Sequence, residues 1–139
     1  WLASASDATV RIWDPRTGQA RHTLGGHISG VWALAIAPDS TWLASAGYDA
    51  TVRIWDPGTG QARHTLTGHT SGVTAVAIAP DGTWLATASD ATIRIWNIDS
   101  ECDAMSIRTG HDLRHVVTDG RLVAAAGDRG PYFLAVSAH

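Results

Sequence analysis

The chain has 139 residues, no lysine, one cysteine, one methionine and one phenylalanine. Each scarcity excludes something. With Cys102 as the sole cysteine, no internal disulfide framework can form, and a reducing, cytoplasmic setting is expected. All ten basic residues are arginines scattered along a chain of net charge −3, so no basic patch for nucleic acid is expected. No apolar run approaches the roughly 20 residues needed to cross a bilayer, and no basic stretch followed by a long apolar one opens the chain as in a secretory leader. No membrane contact is expected. Position 1 is a tryptophan and the only methionine is Met105, so the sequence reads as a section of a longer chain or a trimmed product. The lack of lysine beside plentiful Asp and Ala suggests a GC-rich genome.

What is present is apolar and periodic. Hydrophobic residues make up 45% of the chain and charged ones 17%, enough to bury a sizeable core in a chain of single-domain size. Trp1-Leu-Ala-Ser-Ala-Ser6, Trp42-Leu-Ala-Ser-Ala-Gly47 and Trp84-Leu-Ala-Thr-Ala-Ser89 align. Each is followed by a second matching stretch: Asp7 to Asp14, Asp49 to Asp56 and Asp90 to Asn97. The leading Trp recurs after 41 and then 42 residues, and His27, His69 and His111, each after a Gly, stand 42 apart. Self-similarity of this period marks a repeat architecture.

Each repeat reads as strands. Thr-Val-Arg-Ile-Trp is β-branched and aromatic, which suits a pleated strand. Ala33 to Ala37 and Ala75 to Ala79 alternate Ala with larger aliphatics, setting small residues on one face and large ones on the other. Pro38-Asp39-Ser40, Pro80-Asp81-Gly82, Asp119-Gly120, Asp14-Pro15 to Gly18 and Asp56-Pro57 to Gly60 are turn signals. No stretch shows sustained helical periodicity.

A Gly-His pair, a strand, Pro-Asp-Gly, a Leu-Ala-Ser strand and a strand ending Ile-Trp-Asp resemble the WD40 repeat, strongly over residues 1–111 and weakly over 112–136. The resemblance implies an all-β fold of propeller blades, each of four antiparallel strands, about three and a half blades in this chain. The blades are expected at 1–26 (incomplete), 27–68, 69–110 and 111–139 (degenerate). The resemblance also implies a hydrogen-bonded set within each blade: His27, Ser45, Asp49 and Trp55 in the second; His69, Thr87, Asp90 and Trp96 in the third; Ser4, Asp7 and Trp13 in the first. Buried imidazole, carboxylate and indole N–H groups need such mutual pairing. Two departures stand out. Blades one and three have one residue fewer than blade two between the Ser/Thr strand and the Asp, where Gly47-Tyr48 intervenes. Their turn is therefore tighter, and Asp7 and Asp90 are less well placed to reach partners. In blade four, Ala125 and Leu134 stand at the Ser and Trp positions, so His111 needs other partners.

Four readings compete over the polar residues and tryptophans. Ser, His and Asp in one repeat could form a hydrolase triad, but the set recurs in more than one blade and no GxSxG nucleophile elbow is present. His111 with His115, His22 with His27 and His64 with His69 are spaced within five residues, yet no Cys or Glu supports metal ligation and no helix presents them. Cys102 as a nucleophile is weaker than Cys102 as a packing residue. No catalytic residue, metal or cofactor is expected. Six tryptophans, Trp1, Trp13, Trp42, Trp55, Trp84 and Trp96, recur at repeat positions and read as packing residues. Trp32 does not recur; its repeat equivalent is Thr74. Trp32 and Tyr48, which lies in the longer turn, are the expected contacts for a protein or peptide partner on the propeller face.

The expected function is a non-enzymatic protein–protein interaction scaffold. The alternative is a partner- or ligand-sensing domain of a larger bacterial signalling ATPase, suggested by the segment from Asp119 to Leu134, although no phosphate-binding GxxxxGK[ST] loop is present. A ring is expected to close within a longer chain, or by two copies pairing into a homodimer of seven blades. Open edges at residues 1–6 and 131–136 are expected to be sticky.

Overall fold

A computed structural model describes residues 1–89, 91–100, 103–127 and 129–135. Asp90 and Cys102, both named above, lie outside the described residues. Fourteen strands form four antiparallel sheets in chain order. Sheet one holds β1 (Leu2–Ser6), β2 (Thr9–Trp13) and β3 (Ala20–Gly25). Sheet two holds β4 (Val31–Ile36), β5 (Leu43–Gly47), β6 (Val52–Trp55) and β7 (Ala62–Leu66). Sheet three holds β8 (Val73–Ile78), β9 (Trp84–Ser89), β10 (Thr92–Asn97) and β11 (Asp103–Arg108). Sheet four holds β12 (Leu113–Thr118), β13 (Leu122–Gly127) and β14 (Gly130–Ala135). Among the described residues there is no helix, so none could cross a membrane. The all-β expectation and the four-stranded antiparallel blades hold.

The sheets stack, and each core lies between two neighbours. Val10, Ile12 and Leu24 of sheet one pack with Leu43 and Trp55 of sheet two. Ala44, Ala46, Val52, Ile54 and Leu66 of sheet two pack with Val73, Leu85 and Trp96 of sheet three. Ala86, Ala88, Ile93 and Ile95 of sheet three pack with Leu113, Val116 and Val123 of sheet four. The alternating strands thus bury both faces, and the alanines let neighbouring sheets approach closely. β4 lies against β8, and β8 against β12, so the first strands of sheets two, three and four line one side of the array. Trp42 and Trp84, the leading tryptophans, are buried.

Sheets one and four are each three-stranded but lack different members. Among the described residues, sheet one has no counterpart of β4 and β8, and sheet four none of β7 and β11. Both keep the two middle strands, so they cannot merge into one four-stranded blade.

Each inner strand carries a β-bulge one residue after its opening position. The register shifts between Val31 and Ala33, between Val73 and Ala75, and between Leu113 and His115. The extra residues are Trp32, Thr74 and Arg114. A bulged residue drops out of the ladder and its side chain can be re-aimed. A second set of bulges falls on the outer strands at Arg21 and Arg63. These arginines turn back to the turn aspartates, Arg21 to Asp14 at 2.8 Å and Arg63 to Asp56 at 3.1 Å.

Candidate functional site

His27, Ser45, Asp49 and Trp55 come together in sheet two. Trp55 Nε1 donates to Ser45 Oγ at 2.8 Å, and Ser45 Oγ meets His27 Nε2 at 2.7 Å. His27 Nδ1 meets the Asp49 carboxylate at 3.0 Å. A carboxylate can only accept, so the imidazole proton sits on Nδ1 and the Ser45 hydroxyl donates to Nε2. The indole, hydroxyl, imidazole and carboxylate form a one-way chain. The side chains of His27 and Asp49 are 1% and 2% exposed, where an unpaired polar group would be costly.

Asp49 holds more than the imidazole. Oδ1 accepts from the Thr51 hydroxyl at 2.7 Å and the Thr51 amide at 3.1 Å, and Oδ2 accepts from the Ile28 amide at 3.1 Å. Burial pushes its carboxyl up, but the hydrogen bonds from the Thr51 hydroxyl, the Ile28 and Thr51 amides and His27 outweigh burial and leave it below the ordinary 3.8. Thr51 recurs in the repeat as Thr9 and Thr92, but the sequence reading took it only as a strand residue and missed both it and the Ile28 amide as partners of Asp49. The carboxylate staples the β5–β6 hairpin to the loop before β4.

That staple sets the position of Tyr48. The Tyr48 amide donates to the Gly30 carbonyl at 2.8 Å, and Ala50 closes the turn at φ 66°. A positive φ at a non-glycine residue is strained and needs surrounding contacts to persist. Tyr48 and Trp32 lie with ring centroids 4.9 Å apart at a 53° tilt, and both are more than half exposed, at 60% and 53%. They form one wall of an open groove of about 470 Å³, whose other side is Thr70, Ser71 and Gly72 of the next repeat. A Cβ at Gly72 would lie 3.0 Å from Tyr48 Cδ2 and 3.2 Å from Trp32 Cζ3, so the aromatic pair rests directly on this glycine. The residue equivalent to Trp32, Thr74, instead bonds the Leu113 carbonyl at 2.7 Å and ties sheet three to sheet four.

The third repeat solves the same problem differently. Trp96 Nε1 donates to Thr87 Oγ1 at 2.8 Å, and Thr87 Oγ1 meets His69 Nε2 at 2.6 Å. His69 Nδ1 meets Ser89 Oγ at 3.0 Å. Ser89 and Gly47 occupy the same register, opposite the valines that open β8 and β4. In the second repeat a Cβ at Gly47 would stand 2.8 Å from His27 Nδ1 and 3.0 Å from Asp49 Oδ1. Glycine there makes room for a carboxylate from two residues on, while serine fills the space itself. Ser89 was not among the expected residues, and Asp90 lies outside those described.

In the first repeat Trp13 Nε1 donates to Ser4 Oγ at 2.8 Å, but at an exposed position. Asp7 does not join them. It sits at φ 50° in the tight β1–β2 turn, its exposed carboxylate makes no hydrogen bond among the described residues, and its carbonyl accepts from the Val31 amide at 2.7 Å. The Asp7 side chain is exposed in this short hairpin. In sheet four, Ala125 is buried where Ser45 and Thr87 stand in sheets two and three. His22 Nε2 reaches the Gly58 carbonyl at 3.1 Å, linking sheet one to sheet two. Among the described residues no three His, Cys, Asp or Glu side chains are grouped to hold a metal ion.

The family model for the WD domain, G-beta repeat, matches residues 1–14, 18–56 and 60–97. Among curated proteins the chain is 50% identical over 34 residues to a probable E3 ubiquitin ligase complex SCF subunit, sconB, of Aspergillus niger. It is 46% identical over 35 residues to the corresponding scon-2 subunit of Neurospora crassa. The matched stretches cover 24% and 25% of this chain and 5% of each relative, so the likeness is to a single repeat's length of a much longer protein. These relatives are fungal, which goes against the bacterial setting expected from the segment Asp119 to Leu134, and nothing in the matches supports an attached signalling ATPase. Both expectations are withdrawn.

Proposed function

The chain belongs to the WD40 repeat family, and on that premise we propose that it is a protein-interaction module that grips its partner in the groove walled by Trp32 and Tyr48. The observation that carries this reading is the aromatic pair itself. Two large rings, each more than half exposed, lie in contact over Gly72. Nothing in the stacking of the sheets calls for an aromatic at position 32, because Thr74 serves at the equivalent place. Exposed aromatics set in a rigid frame are the residues that most often dominate protein contacts. The frame is rigid because Asp49 fixes the turn that carries Tyr48, and the bulge fixes Trp32. Ile28, 88% exposed beside the amide that Asp49 holds, extends the apolar rim. The mechanism is surface complementarity with aromatic anchors, in a cytoplasmic setting and without chemistry or cofactor. The polar sets of the blades serve to hold the frame. That the relatives are named as subunits of ubiquitin ligase complexes fits a role in assembly with other proteins.

The test uses peptides selected from a random library on the immobilised chain. Trp32→Ala is expected to weaken the selected binders by at least about tenfold, as for an aromatic hot spot, with the unfolding midpoint unchanged. Binders indifferent to both Trp32→Ala and Tyr48→Ala would sink the proposal. Loss of fold in Trp32→Ala would return that residue to packing.

A further inference from the structure

The first two repeats each answer an outer-strand arginine with a carboxylate. Arg21 and Arg63, the bulged residues of β3 and β7, reach Asp14 and Asp56. The third repeat has neither half of that pair, since Ala104 and Asn97 stand at the equivalent positions. Its outer-strand arginine stands instead at position 108, where the other repeats carry Gly25 and Thr67. Arg108 is exposed and makes no hydrogen bond or ion pair among the described residues.

The register shows what Arg108 stands beside. It lies opposite Thr92, and Ser106 lies opposite Arg94. Residues two apart on a strand share a face, so these four side chains project from one side of sheet three. They border a cavity of about 210 Å³, together with Thr70 from the loop before β8. Arg94 is held in place there. Its guanidinium lies 5.8 Å from the centre of the Trp96 ring, and a Cβ at Gly68 would stand 3.0 Å from Nη1. The Thr70, Thr92 and Ser106 hydroxyls make no hydrogen bond among the described residues. No carboxylate is among the described residues that line the cavity.

We propose that this cavity binds a phosphate group, carried on a partner's phosphorylated side chain or free in solution. A phosphate dianion matches two guanidinium charges, and its oxygens accept from both forks and from the hydroxyls together. A carboxylate, with one charge and two oxygens, leaves part of that donor set unanswered. Arg94 supplies a fixed charge, and Arg108 holds the anion from the end of β11. The second repeat has no such pair, because Thr67 stands in the place of Arg108. Thr70 also borders the groove of Trp32 and Tyr48, yet the phosphate site needs neither aromatic.

The experiment titrates the full chain with inorganic phosphate, then with a short phosphoserine peptide and its unphosphorylated form. Nuclear magnetic resonance follows the Nε–H signals of Arg94 and Arg108 and the amides of Gly68 and Thr70. Saturable shifts are expected with phosphate. Arg108→Ala is expected to weaken binding at least about tenfold, and Arg108→Lys, which keeps the charge but not the fork, by less. Ser106→Ala is expected to cost about threefold, the scale of one neutral hydrogen bond. Arg16→Ala changes the net charge equally at an exposed turn and is expected to leave phosphate affinity within about twofold of the parent. A phosphopeptide that binds more tightly than inorganic phosphate assigns the site to a modified side chain, and one that binds no more tightly assigns it to free phosphate. No saturable response to either, or a response indifferent to both Arg108 variants, overturns the proposal. So does an equal loss in Arg16→Ala, or equal binding of the unphosphorylated peptide.

Discussion

The second and third repeats are nearly the same sequence, and each buries a histidine between a hydroxyl and a second polar group. In the second that group is the Asp49 carboxylate, and in the third it is the Ser89 hydroxyl. One inserted residue makes the difference. The extra length at Gly47-Tyr48 lets a carboxylate swing under the imidazole, and the same length pushes Tyr48 out beside Trp32. Satisfying the histidine and presenting an aromatic are therefore one structural event. The third repeat meets its histidine with the Ser89 hydroxyl at the end of β9, and its turn is one residue shorter. A repeat that looks merely irregular in sequence is the one equipped to make contacts.

The comparison is broken most severely by removing each repeat's second partner. Asp49→Ala strips acceptors from His27, Thr51 and the Ile28 amide at once. It is expected to cost about 3 kcal/mol, in the range for leaving buried groups without a charged partner. Ser89→Ala removes one neutral hydrogen bond and is expected to cost about 1 kcal/mol. Urea unfolding of the two variants measures the gap. Equal losses would mean that the carboxylate adds nothing beyond what a hydroxyl provides.

A smaller effect comes from acid. The Asp49 carboxyl is below its ordinary 3.8 in the folded chain, so its contribution is complete above about pH 4 and is lost as pH falls through the folded value. Five turn aspartates share that direction: Asp14 through Arg21, Asp39 through the Thr41 amide, Asp56 through the Gly58 amide, Asp81 through the Thr83 amide and Asp119 through the Leu122 amide. Asp39, Asp81 and Asp119 are exposed and Asp14 and Asp56 partly so, and their contribution is screened. Asp49→Asn is therefore expected to lie closest to the parent at the acid end. The stability difference between the two, measured by denaturant at neutral pH and again near pH 3, should shrink. A difference that stays constant would show that Asp49 acts through shape and not through charge.

Much of this was legible from spacing alone. The repeat period, the strands and the turns at Pro38 and Pro80 follow from residues that recur in register, while the meeting of His27, Ser45, Asp49 and Trp55 was what the resemblance to the WD40 repeat implied. What was not legible depended on geometry that recurrence hides. Asp7 occupies the same place in its repeat as Asp49, yet in its shorter hairpin it takes a positive φ and stands exposed. Ser89 looked like one more small residue at a strand end, because only the register places it against His69. The bulges were invisible for the same reason, since a bulge is a relation between two strands and Trp32 reads in sequence as an ordinary strand residue. Trp32 and Tyr48 could each be singled out as departures from the repeat, but their contact across Gly72 could not.

The subtlest test exchanges the two solutions. Gly47→Ser alone should be destabilising by about 1–3 kcal/mol, because a Cβ there stands 2.8 Å from His27 Nδ1 and the neighbouring carboxylate has nowhere to go. Gly47→Ser combined with deletion of Tyr48 gives the second repeat the third repeat's hairpin. The serine then takes the imidazole, as Ser89 does, and the strained Ala50 conformation is no longer needed. Stability by thermal or urea unfolding is expected to return to within about 1 kcal/mol of the parent, the scale of one exchanged hydrogen bond. If the double change instead remains as unstable as Gly47→Ser, the hairpins are not interchangeable and the Asp49 staple supports the sheet itself. If stability returns while selected peptides no longer bind, the longer hairpin exists for its tyrosine, since the fold does without it.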